Sequence, residues 1–129
     1  MRLNRLFFLI LFPFFIIACN EPGQNDFEAS IEQLLQQNEF EKALERLRES
    51  EHDFAEIRTL KVQTHLAYAN YLTHEADHLD MSNRMSDALR HYRRVLELDE
   101  HNRQAQAHIE TIEGIYRQMG RDIPQGIAE

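Results

Sequence analysis

The chain has 129 residues, a net charge of −8 and a single cysteine, Cys19. Its length suits one small domain. The acidic balance argues against a nucleic-acid partner, which rewards clustered Lys and Arg. One cysteine allows no intrachain disulfide, so the fold must hold by packing alone.

Arg2 and Arg5 open the chain, followed by the apolar run Leu6 to Ile17 and then Ala18-Cys19. A basic start, a short apolar middle and small residues before a cut site describe a secretory signal peptide. The run is too short to span a bilayer comfortably as a helix. Ile16-Ile17-Ala18-Cys19 resembles the lipobox of bacterial lipoproteins. The resemblance implies cleavage of residues 1–18, a covalent lipid on Cys19 and attachment to a membrane. Asn20 replaces the aspartate common in lipoproteins of the inner membrane, which by that analogy favours the periplasmic face of an outer membrane in a Gram-negative cell. Removing residues 1–18, which carry Arg2 and Arg5 and no acid, takes the net charge from −8 to −10. Such a domain is repelled by anionic lipid heads, so the lipid and not the protein surface is expected to hold it at the membrane.

Residues 19–25 read as the lipidated cysteine and a short tether containing Pro22 and Gly23. No glycine or proline occurs from Gln24 to Glu113, a stretch rich in Ala, Leu, Glu, Gln and Arg. No run alternates with period two, so the expected class is all-α. The first helix is predicted from Phe27 to Gln37, with Asn25 and Glu28 at capping-box spacing and a stripe of Phe27, Ile31, Leu34 and Leu35. Asn38-Glu39 turns into a second helix, Phe40 to Ser50, with Phe40, Ala43, Leu44 and Leu47 on one face. Asp53 and Glu56 repeat the capping spacing and start a long third helix, ending at His74 or His78. Its apolar positions are Phe54, Ile57, Leu60, Leu66, Tyr68 or Ala69, and Leu72. A fourth helix, Arg84 to Leu98, carries Ala88, Leu89, Tyr92, Val95 and Leu96. Asn102 caps a fifth, Arg103 to Met119, which Gly120 stops. Residues 121–129 are expected to form a loosely docked tail.

The second and fourth helices look alike, and each follows another helix. Here residues 26–120 resemble tetratricopeptide repeats. Gln37-Asn38-Glu39-Phe40 followed by Ala43 and Leu47 matches that family's turn and second-helix start, and Ala88 with Tyr92 repeats the spacing. Val95-Leu96-Glu97-Leu98-Asp99 matches the closing segment, although Glu100 replaces the usual proline. The alanine lets helices approach closely, and the larger residue one turn on fills the gap between neighbouring hairpins. The resemblance implies a short solenoid of antiparallel hairpins, two repeats plus a polar-faced capping helix. Ala43 and Ala88 lie 45 residues apart, against a usual repeat of about 34, so the second repeat is enlarged.

His74-Glu75-Ala76-Asp77-His78 satisfies the H-E-x-x-H pattern. On a helix, His74 and His78 would share one face and hold a zinc ion, with Glu75 polarising water. Asp77 puts a charge at an inner position, no extended motif follows, and Glu97 or Glu100 would have to supply a third ligand. No serine or cysteine triad and no glycine-rich phosphate loop can be assembled. Arg90, Arg93 and Arg94 read as a solvated helix face. Tyr68, Tyr71, Tyr92 and Tyr116 read as packing.

The function expected is a non-catalytic adaptor for an envelope protein or peptide, without a cofactor beyond the lipid, and with homo-dimerisation open. His65, Asn70 and Tyr71 are the expected exposed contacts in a groove of the enlarged hairpin. A zinc-dependent hydrolase using His74, Glu75 and His78 is the rival.

Overall fold

The computed structural model describes residues 22–51 and 54–129, so Cys19, the lipobox and Asp53 lie outside the described residues. Five helices occupy them: α1 Pro22–Gln36, α2 Phe40–Arg48, α3 Phe54–His74, α4 Met81–Leu98 and α5 Arg103–Gln118. No strand occurs among the described residues, and the all-α expectation holds there. None of these helices is long and apolar enough to cross a membrane.

Two starts differ from expectation. α1 begins at Pro22 and not Phe27, so part of the expected tether is helical and Asn25 lies inside the helix instead of capping it. Proline suits a first helical turn, where its missing N–H has no helical partner to lose. α4 begins at Met81 because the Asp80 carboxylate accepts a bond from the Asn83 amide at 3.2 Å. Asn102 caps α5 as expected, accepting from the Ala105 amide at 3.1 Å.

Turn chemistry matches the sequence. Asn38 takes a left-handed φ of 59°, and the Glu39 and Asn38 amides bond the Leu34 and Leu35 carbonyls at 2.9 and 3.1 Å. That is a Schellman closure with asparagine in the glycine position. Gly120, at φ 63°, closes α5 similarly, with the Arg121 amide on the Tyr116 carbonyl at 3.0 Å. The Arg58 guanidinium donates to the Leu98 carbonyl at 2.6 Å and satisfies an open acceptor at the end of α4.

Packing is serial. Each helix lies against the next, and α1 also reaches α3. The long α3 therefore spans two cores. Its first half joins Ile57 and Leu60 to Ile31, Ala43 and Leu47. Its second half joins Ala69 and Leu72 to Ala88, Leu89, Tyr92, Val95, Ala105, Ile112 and Tyr116. Ala43, Ala69, Ala88 and Ala105 are wholly buried at the helix contacts, where a small side chain allows close approach. The exposed face of α5 is mostly polar, interrupted by Ile115 and, at its C-cap, Met119.

Candidate functional site

α2 and α4 flank α3 and leave a cleft between them. One end is an open hollow of about 500 Å³ lined by Glu41, Glu45, Tyr68, Asp87, Arg90 and His91. The other end, about 320 Å³, is lined by Leu44, Arg48, Lys61, His65, Arg94 and Leu98. Leu44, Arg48 and Glu129 border both, so the two hollows form one continuous cleft. Charge is divided along it. Carboxylates of Glu41, Glu45 and Asp87 outnumber Arg90 at the first end, Lys61 and Arg94 lie at the second, and Arg48 borders both.

Aromatic side chains build the floor. Tyr68 stacks on Phe40 at 4.8 Å and leans on His91 at 4.4 Å. Its hydroxyl donates to Glu41 at 3.3 Å. Burial, and then the Glu41 charge, push the Tyr68 phenol up to about 12. Beneath the cleft the Nδ1 atoms of His65 and His91 lie 2.9 Å apart, joining α3 to α4. One ring must donate and the other accept at that nitrogen, and burial favours the neutral form of both. Burial, followed by the neighbouring His91, Arg94 and Lys61, lowers His65 to about 3. Burial, followed by Arg90, lowers His91 to about 4.

Residues 121–129 are not loosely docked. The Arg93 guanidinium donates to the Pro124 carbonyl at 2.7 Å and the Gly126 carbonyl at 3.2 Å. Its other nitrogen holds Glu113 at 3.1 Å. Arg94 donates through Nε to the Ala128 carbonyl at 2.6 Å, and the Ala128 amide bonds the Arg90 carbonyl at 3.1 Å. The arginines read as a solvated face are instead a clamp on an extended segment. Arg94 and Arg93 satisfy carbonyls that no helix or strand would pair.

The expected contact residues occupy other places. His65 is buried in the histidine pair and presents no exposed surface to a groove. Asn70 is half-buried, accepting from Tyr92 at 2.8 Å and Gln104 at 3.4 Å. Tyr71 is half-buried against Phe40, with ring centroids 5.2 Å apart. These three do not converge on one exposed surface. The zinc motif loses its geometry, because α3 ends at His74 and residues 75–80 turn away from helical order. His74 and His78 are therefore not one helical turn apart, Ala76 is buried between them, and Asp77 pairs with Arg84 at 2.9 Å. No cluster of three or more His, Cys, Asp or Glu suited to a metal forms among the described residues.

Sequence reasoning missed Arg48, Lys61 and Tyr68 as cleft residues. The Arg90 to Arg94 spacing, one helical turn, was a visible signal that both share a face. What faced them was not visible in one dimension. Comparison of the chain with family models, curated proteins and solved structures gave no match.

Proposed function

We propose that the mature chain is a lipid-anchored adaptor of the bacterial envelope that binds a segment of another protein in the α2–α4 cleft and catalyses nothing. The observation that carries this reading is the cleft itself, open, mixed in charge and floored by aromatic rings. Such surfaces suit an extended polypeptide better than a small enclosed substrate. The lipobox residues Ile16 to Cys19 support the anchor. Serial helix contacts, with Ala43 and Ala88 buried at equivalent points, support a tetratricopeptide-like stack of two hairpins with α5 as its last helix. Tethering near a membrane raises the effective concentration of any partner held there. The exposed Ile115 and Met119 on α5 leave an apolar end to the stack, which fits docking on a larger assembly or a second copy.

Photocrosslinking in cells tests the cleft. A photoreactive residue at Leu44, in the cleft, should give a discrete adduct, and one at Gln33, exposed on α1, should not. Equal adduct patterns from both sites would reject the cleft as the binding surface. Cys19→Ala should abolish fatty-acid labelling and release the domain from membranes; unchanged retention would reject the anchor.

A further inference from the structure

The geometry points to Ala128 and Glu129, the end of the clamped segment 121–129, as an internal occupant of the α2–α4 cleft, standing in for an extended partner segment with a small residue followed by an acidic one. This inference rests on the adaptor reading and names both the partner's chemistry and its regulation.

Three observations carry it. The first is how the segment is held. Outside the cleft the main-chain carbonyls of Pro124 and Gly126 take guanidinium bonds from Arg93, and at the cleft the Ala128 carbonyl takes one from Arg94. Bonds to main-chain atoms do not depend on sequence, so another extended segment can accept them equally well. The second is where side chains count. Ala128 is the only residue of 121–129 that is buried, at 6 % exposure, and it lines the cleft beside Arg90 and His91. A small side chain fits there. The third is charge. Glu129 borders both ends of the cleft and reaches Arg48, Lys61 and Arg94 at the second, away from the Glu41, Glu45 and Asp87 carboxylates at the first. An acidic side chain at this position is favoured by the local field.

The segment is also poised to leave. It has no regular secondary structure, and residues 125–127 are exposed. Its apolar anchor, Ile123, packs on the second core and lies upstream of the cleft. Gly126 takes φ 101°, a left-handed conformation that directs the last residues towards the cleft and that other residues adopt only with strain. A segment held this close to its site has an effective concentration on the order of millimolar, so a partner must outcompete it. The tail thereby sets a threshold on docking.

The test uses the full chain and a dye-labelled synthetic peptide with the sequence of residues 121–129, read by fluorescence anisotropy. Gly126→Val and Ala128→Arg each dislodge the tail by different means, backbone strain and steric exclusion. Circular dichroism confirms that the helices persist. Both variants should bind the peptide at least about tenfold more tightly than the unaltered chain. Adding Arg94→Glu to either should remove that gain, and a peptide with lysine in place of the final glutamate should bind at least about tenfold more weakly. Helical variants that bind no better than the unaltered chain would overturn the inference, as would equal binding of the lysine peptide. A Leu44 adduct combined with failed peptide binding would overturn the tail as occupant while leaving the adaptor reading intact. Peptide binding without that adduct would reject the adaptor and leave the tail as a purely internal clasp, overturning its role as a stand-in for a partner.

Discussion

Around the first half of α3 the core is Ile31, Ala43, Leu47, Ile57 and Leu60, aliphatic throughout. Around the second half, a larger set encloses Tyr92, whose hydroxyl donates to Asn70 at 2.8 Å and whose ring stacks on His108 at 4.8 Å. Leu47 and Tyr92 each sit one turn after a buried alanine, Ala43 and Ala88. Leucine fills its gap by shape alone. Tyrosine fills its gap and also demands a partner for a buried polar atom, which fixes Asn70 and Gln104 around it. The first core is thus interchangeable packing, and the second is packing plus specification. The arginine clamp and the tail belong to the second as well.

The contrast can be broken most forcefully at Tyr92. Tyr92→Ala should cost about 4 kcal/mol, combining a large cavity with loss of the bond to Asn70, read from the denaturant midpoint. Leu47→Ala should cost about 3 kcal/mol. Hydrogen exchange should then show α1 and α2 opening while α5 remains protected. Equal acceleration in α5 would mean that α3 welds both cores into one cooperative unit.

Acid should weaken the joint between α3 and α4. His65 and His91 have folded values of about 3 and about 4, below the ordinary 6.5. The unfolded chain therefore binds more protons between those limits. Their stabilisation is complete above pH 6.5 and is lost as pH falls towards 3, each contributing at most about 1.4 kcal/mol per pH unit. Replacing both by leucine should flatten the stability profile between pH 7 and 5.

A smaller effect, of opposite sign, lies at the seam of the cores. The Thr64 hydroxyl is fully buried with no hydrogen-bond partner among the described residues, whereas Thr73 bonds the Ala69 carbonyl at 2.8 Å. Thr64→Val should raise stability by about 1 kcal/mol. Least of all, Lys42→Ala removes an exposed pair with Glu39 and should change stability by less than about 0.5 kcal/mol.

Helix existence was legible in the sequence because it depends on neighbours three and four residues apart. Caps at Asn102, turns at Asn38 and Gly120, and the buried alanines all announce themselves locally. The start of α4 differs from the predicted Arg84 because the Asp80 carboxylate caps the helix one turn earlier. The three expected contacts failed for a different reason. His65, Asn70 and Tyr71 are polar or amphipathic residues on a helix packed on two sides, so composition could not tell which face met solvent.

From sequence alone came the helical class, the order of five helices and the small-then-large spacing that stacks them, because period and breakers are properties of short stretches. Tertiary structure alone decided that α3 ends before the second histidine of H-E-x-x-H, that two histidines from different helices share one bond, and that three arginines grip the chain's last segment. Each of these joins or separates residues by where helices end and cross. That is set by the whole packed molecule and not by any one stretch of it.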